Sequence, residues 1–291
     1  MKTAMRPEDL YFAAAPFGAG QIRITWLGTA GFAIEHDGHV LLIDPYLTRA
    51  SLTRCLWAPL ASDERLVRRL APKADAVLLS HTHFDHALDA PAIARQTGAR
   101  VFGSRSALHL CRAHGLPESQ LVDVESGASG GTPEAEVGPF RLRFWPSAHS
   151  AFLLGRVPFP GDIADCADVP MRTSNYRCGA VFGAEIEVAG RRLFHVGSAE
   201  LVESGWRVAD VDLVLACVAG WTTTDRYPER LARALSPGAV LLHHWDNFLR
   251  SISDEVRALP AMRMAALVDR LGAAAPGVRV GTLPLLGSVT L

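Results

Sequence analysis

The run Ala76–Ser80 (AVLLS) passes directly into His81-Thr82-His83-Phe84-Asp85-His86. A short apolar run of this length reads as a buried strand. Four side chains able to bind a cation follow within six residues, and three of them are histidines, in a chain that has eleven. These residues fall in the loop at the strand's C-terminal end, where layered α/β proteins place ligands. In extended backbone His81 and His83 point the same way, and Asp85 and His86 follow in a turn that faces a neighbouring point. Neutral imidazoles with a carboxylate are the donor set that a borderline-soft divalent cation prefers, zinc above all.

The segments on either side supply the layers such a strand needs. IRITWL, GFAIEH and HVLLIDPYL, joined by Gly-containing turns, read as successive strands from Ile22 onward. SDERLVRRL is a short amphipathic helix capped by Ser62 or Asp63. ALDAPAIARQTGA is a helix ended by Gly98, RVFGS a strand, and SALHLCRAHG a helix ended by Gly115. EVGPFRLRFWPSAHS and AVFGAEIEVAGRRLFHVGS are hairpins. VDLVLACVAG and GAVLLHHW are buried strands separated by the helix YPERLARALS. A helix over AMRMAALVDRLGAAAPG and strand in VRVGTLPLLGSVTL close the chain. Hairpins come first and βα units later, with no repeat, which predicts a layered α/β fold with sheets inside and helices outside.

Hydrophobic residues make up 49% and charged residues 20%, enough for a sizeable core and against disorder. A net charge of −1 excludes the basic excess that draws nucleic acid or an anionic membrane. Five cysteines without a CxxC pair suggest reduced thiols and a cytoplasmic location. The N-terminus carries no apolar signal segment, and no run is long enough for an integral membrane helix. The partner expected is a small-molecule substrate, with a homo-oligomer left open.

The H-x-H-x-D-H pattern resembles the metallo-β-lactamase superfamily, and the resemblance extends over nearly all of residues 21–291. Asp44 matches the Asp that closes the family's third strand. WPSAHSAF offers His149 after a later strand. LLHHWDNF is similar to the H-W-G-T-F segment of the branch with ascorbate-6-phosphate lactonase and N-acyl-phosphatidylethanolamine phospholipase D, which places a ligand at His244 with Phe248 in the matching aromatic position. The resemblance implies an αββα four-layer sandwich of two mixed β-sheets flanked by helices, as a single domain over 1–291 with an N-terminal extension at 1–20. It implies one or two divalent metal ions, zinc first and manganese or iron as alternatives. His81, His83 and His149 would hold the first, and Asp85, His86 and His244 the second. In the family a hydroxide between the metals attacks a carbonyl or phosphoryl centre, with Asp85 orienting it and assisting proton transfer. The activity implied is hydrolysis of a small ester, lactone or phosphodiester. The alternatives are a metal-binding protein without turnover and a mononuclear iron oxygenase on the same fold.

One position departs from the family. Its bridging Asp should follow Gly197, and this chain has Ser198. A neutral hydroxyl supplies no charge between two dications. Glu200 and His195 are the candidates to compensate. Strand alternation turns His243 away from His244, and His36, His39, His109 and His114 read as surface positions. The segment 150–178 is long, rich in Pro, Gly and Asp, and begins at His149, so it reads as an active-site loop. Its Phe152, Leu153, Leu154, Val157 and Phe159 would form an apolar wall, and Arg156, Tyr176 and Arg177 would bind substrate, with Arg172 as a further cation for an anionic group.

Overall fold

The computed structural model describes residues 5–13, 18–126, 133–152 and 155–291. The chain begins with three antiparallel strands, β1 (Arg23–Gly28), β2 (Gly31–His36) and β3 (His39–Ile43). Asp37 and Gly38, with φ of 46° and 78°, make the two-residue turn that the DG pair predicts. Two short helices follow, α1 (Leu52–Trp57) and α2 (Glu64–Leu70). Of the two cap candidates for α2 the structure selects Asp63, whose carboxylate accepts the N–H groups of Arg65 and Leu66. The parallel strands β4 (Ala76–Leu78), β5 (Arg100–Gly103) and β6 (Leu121–Asp123) come next. They are interleaved with α3 (Phe84–Ala87), α4 (Ala90–Thr97) and α5 (Arg105–Ala113). Gly98 ends α4 in the left-handed conformation at φ 77°.

The second half repeats the plan. The strands β7 (Glu134–Val137), β8 (Phe140–Ser147), β9 (Val181–Val188) and β10 (Arg191–Val196) form an antiparallel run. Then β11 (Leu213–Cys217), β12 (Ala239–His243) and β13 (Arg279–Gly281) continue it in parallel, crossing over through α6 (Tyr227–Leu235) and α7 (Met264–Ala274). The last strand, β14 (Ser288–Thr290), returns to the first sheet beside β1. The result is two mixed seven-stranded sheets, ordered β14-β1-β2-β3-β4-β5-β6 and β13-β12-β11-β10-β9-β8-β7. This is the expected four-layer sandwich.

Alternation along the strands sorts the core. Leu41 and Ile43 of β3 and Leu78 of β4 join Leu142, Phe144 and Phe194 between the sheets, whereas Leu42 and Val77 join Ile93 of α4 and Leu110 of α5 on the outer side. Phe102 of β5 stacks on Phe144 of β8 across the sandwich, with centroids 5.9 Å apart and planes 11° apart. Burying such a ring contributes about 1.5–3 kcal/mol. The strands β11 and β12 are buried along their whole length, as parallel strands covered on both faces are. Residues 10–12 pair along the outer side of β13 through Phe12 N to Thr282 O (2.9 Å) and Thr282 N to Leu10 O (2.8 Å), so part of the N-terminal extension covers a sheet edge. No described helix is long and apolar enough to cross a membrane.

Among its described residues, the 150–178 segment contains a 3-10 turn at Thr173–Asn175 and no strand or α-helix. It is pinned by Leu60 N to Met171 O (2.7 Å) and Cys178 N to Phe159 O (2.9 Å). Its inward half feeds Ile163, Met171 and Tyr176 into the outer cluster of the first sheet. Tyr176 is therefore a correction: its ring is fully buried core, not a substrate contact. His36 is also buried, with Nδ1 3.0 Å from the Gln21 carbonyl, because the hairpin folds back over the start of β1.

Candidate metal centre

The site assembles where β4, β8 and β12 end. His81 leaves β4 after Ser80. His83 occupies the cap position of α3, so that Asp85 and His86 fall within one buried helical turn instead of the irregular turn expected. His149 follows β8. His244 leaves β12 with φ 59°, a left-handed residue that takes the chain off the strand. Its neighbour His243 stays inside the sandwich, with centroids 5.0 Å from His195 and 5.3 Å from Phe32. Strand alternation turns His243 away from the candidate cluster, and the backbone turn at His244 completes the separation.

Three overlapping groups result. His81, His83 and His149 form one, Asp85, His86 and His244 another, and Asp44, His81 and His86 a third, with the candidate ligand atoms of each group within 4.8 Å of one another. The His81 ring centroid lies 3.8 Å from that of His86, 4.8 Å from His83 and 4.9 Å from His149, so His81 touches both halves of the cluster. In the second half His244 Nε2 is 3.3 Å and His86 Nε2 3.9 Å from Asp85 Oδ2.

Hydrogen bonds fix which ring nitrogen each histidine presents. His83 donates Nε2–H to the Pro158 carbonyl (2.8 Å), and His149 donates Nδ1–H to the Ser150 carbonyl (2.8 Å). His81 Nδ1 lies 3.1 Å from Ser80 Oγ, leaving its buried Nε2 without a hydrogen-bond partner. His86 Nδ1 is 2.8 Å from Asp44 Oδ2. The Asp44 carboxylate also accepts the Ser80 N–H (2.7 Å) and hydroxyl, so it backs His86 instead of ligating beside it. That role was not read from the sequence, although the strand-end position of Asp44 was.

Burial sets the protonation states. It pushes His149 down to about 3 and drives His81 well below the ordinary imidazole value, with neighbouring histidines adding to both shifts. His83 and His244 are also lowered by burial, against the opposing pull of Asp85. Burial alone would raise Asp85, but His86 and His244 outweigh it and hold the carboxyl below the usual range. His86, facing Asp44 and Asp85, is raised despite its burial. The donors other than His86 are thus neutral imidazoles beside an ionised carboxylate, and the buried Nε2 of His81 has no hydrogen-bond partner. This donor set fits one or two divalent cations.

Neither compensating residue reaches the cluster. Glu200 accepts from Arg230 Nη1 (3.1 Å), Thr224 Oγ1 (3.1 Å) and the Leu201 N–H (2.9 Å). His195 Nε2 meets the Ala30 carbonyl at 3.1 Å inside the sandwich. Ser198 Oγ accepts the Ser150 N–H at 3.1 Å. The preceding Gly197 is packed so closely that a Cβ there would lie 3.1 Å from Asp44 Oδ2. Arg156 and Arg177 are exposed on the loop. Phe159, at the loop's turn back, has its ring centroid 6.5 Å from that of His83. Phe152 is exposed and Val157 half-buried, while Leu153 and Leu154 lie outside the described residues. A separate cavity of about 570 Å³ lies between the hairpin turns at Gly138 and Gly190, at the opposite end of β8 and β10, and most of its charged lining is paired, as in Arg191 with Asp212 and Arg192 with Glu187.

A family model described as the beta-lactamase superfamily domain matches residues 23–244. A UPF0173 metal-dependent hydrolase of Anaeromyxobacter sp. (strain K) is 30% identical over 250 residues, covering 82% of this chain and 81% of that protein. The corresponding protein of Anaeromyxobacter dehalogenans (strain 2CP-C) is 29% identical with the same coverage. Among solved structures, Igni18, a metallo hydrolase from the archaeon Ignicoccus hospitalis, aligns with a TM-score of 0.60 at 19% identity, covering 93% of this chain and 98% of that one. At that identity the likeness concerns the fold.

Proposed function

The chain belongs to the UPF0173 metal-dependent hydrolases of the beta-lactamase superfamily, and we propose that it hydrolyses a small ester, lactone or phosphodiester at the His81–His83–Asp85–His86–His149–His244 cluster, with zinc as the metal. The observation that carries this reading is the convergence of five histidines and one aspartate, drawn from both sheets, on one buried point. When bound, a divalent cation supplies a water acidified towards neutrality and a Lewis acid for the developing oxyanion.

The protein's own groups do the rest. Hydrogen bonds from His83 to Pro158, His149 to Ser150 and His86 to Asp44 hold the rings in fixed tautomers, so little reorganisation is needed on binding. Asp85, 3.3 Å from His244, would orient the attacking water and assist its proton transfer. Arg156 and Arg177 are exposed on the loop, Arg177 with Nη1 donating to the Pro160 carbonyl (3.4 Å), and cations there would favour a phosphodiester or a carboxylate-bearing ester. The odd number of cysteines and the lack of a CxxC pair support a cytoplasmic location.

The test is metal analysis of the purified chain with turnover of ester, lactone and phosphodiester panels. One or two zincs per chain with hydrolysis of one panel is the expected result. Tight metal with no turnover would support the non-catalytic alternative, and a single redox-active iron the oxygenase.

A further inference from the structure

Two charged side chains beside the cluster have no part in the proposed chemistry, yet they are more deeply buried than several of the ligands. Arg49 and Asp246, 197 residues apart, form an ion pair with 2% and 0% side-chain exposure. Neither belongs to any of the three ligand groups. The Asp246 carboxylate also accepts the Thr29 N–H at 3.0 and 3.3 Å, and Arg49 Nη2 lies 3.4 Å from Thr29 Oγ1. The Thr29 carbonyl in turn accepts the N–H of His244 at 2.8 Å and the Trp26 indole N–H at 3.0 Å. A chain of contacts therefore runs from Arg49 through Asp246 and Thr29 to the backbone of a ligand on the other sheet.

The backbone along that chain is unusual. Thr29, Arg49 and His244 all have positive φ, at 53°, 47° and 59°. Such angles are uncommon without glycine, and for β-branched Thr29 they are an outlier that persists only where the surroundings over-determine it. Gly28, at φ 91°, makes the seat: a Cβ there would lie 3.0 Å from Arg49 Cζ. A buried ion pair is a poor way to gain stability, because desolvation offsets most of the attraction. Its better-attested use is to fix one geometry.

We propose that the buried Arg49–Asp246 pair is a positioning device for His244. It holds Thr29 in its strained turn, Thr29 holds the His244 backbone, and the pair thereby sets the affinity of the Asp85–His86–His244 site without touching the metal. The inference rests on His244 being a ligand, as in the function proposed above.

The test uses the full chain, stripped and titrated with zinc alone, with affinity and stoichiometry read for each site. His81→Ala and His244→Ala serve as references. The double variant Arg49→Met/Asp246→Asn removes both charges but keeps an acceptor for the Thr29 N–H, so no unpaired buried charge threatens folding. It should leave the three-His site as in wild type and weaken the second by roughly 10–100-fold, the range seen for outer partners of metal ligands. Arg49→Lys should show only part of the loss, since an ammonium keeps the charge but not the planar guanidinium whose Nη2 meets both Asp246 and Thr29. Second-site affinity in the double variant within about two-fold of wild type, with His244→Ala losing a metal, would overturn the inference. Parallel loss of both sites would show a merely structural role and overturn it too. If His244→Ala itself keeps full metal content, the ligand assignment fails and the inference falls with it.

Discussion

The two halves of the candidate metal centre are built on different principles. The His81–His83–His149 half is three neutral imidazoles, each kept uncharged by burial and steadied by one nearby contact: Ser80, Pro158 or Ser150. The Asp85–His86–His244 half carries its own carboxylate, has a second carboxylate behind it in Asp44, and depends for His244 on a turn held from across the sandwich. The first half is thus fixed locally and is electrically neutral. The second is charge-compensated but its geometry is assembled over long range. Ser198, where the family resemblance would put a shared carboxylate, gives its oxygen to Ser150 instead. Two dications side by side would repel with little relief, so the two affinities should differ, the second being the lower.

The largest effect is expected where the halves touch. His81 belongs to two of the three ligand groups, and its ring is 3.8 Å from that of His86. In His81→Ala the first site loses a third of its donors and the second loses the ring packed against His86. Metal retained after desalting should fall close to background, measured by elemental analysis. Retention of the wild-type content would remove His81 from the site and dissolve the comparison.

Next comes Asp44, the carboxylate hydrogen-bonded to His86 of the second half. In Asp44→Asn the amide oxygen can still face His86 Nδ1, but the negative charge that keeps His86 a strong donor is gone. Zinc affinity should fall by roughly 10–100-fold at the second site and by much less at the first. An equal fall at both would mean that Asp44 serves the cluster as a whole, and the division into a neutral and a charged half would have to be given up.

How far the sequence could reveal this contrast depends on distance along the chain. His81, His83, Asp85 and His86 are legible because six consecutive residues carry the pattern. Asp63 and Gly98 are legible because capping is a local event with a local signature. Asp44 could be placed at a strand end, but its partner His86 lies 42 residues on, and nothing in either segment announces the bond. Arg49 and Asp246 are less legible still, since they meet only after the two sheets pack. Tyr176 shows the opposite failure: its place in the loop suggested a substrate contact, while the loop's inward face is part of the core.

Ser198→Asp sharpens the comparison from the other side. Restoring a carboxylate at the end of β10 supplies one negative charge near both halves and should narrow the gap between their affinities. Because Ser198 is only 4% exposed and already accepts the Ser150 N–H, an aspartate there must keep that contact, which limits the gain. A gain of about ten-fold at the second site, or about 1.4 kcal/mol, is expected from zinc titration. A variant that gains nothing, alongside a wild type with two equally tight sites, would show that the missing bridge was never the source of the difference.

The smallest effect is expected at Glu200, the residue whose position in sequence made it the natural substitute for the bridge. Its carboxylate is held by Arg230, Thr224 and the Leu201 N–H, and Arg230 is itself fastened to Glu203 by two hydrogen bonds of 2.8 Å. To swing towards the metals Glu200 would have to abandon three donors and leave part of a guanidinium unpaired. Glu200→Gln keeps the size and most of the hydrogen bonding, so it should cost less than about 1 kcal/mol of stability, as expected for a pair with this much solvent access. Its effect on zinc should be nil at both sites, read by titration beside wild type. A ten-fold loss confined to the second site would mean that the carboxylate does move when metal arrives, and that the second half of the centre draws its charge from β10 after all, through Glu200 instead of through the residue at 198.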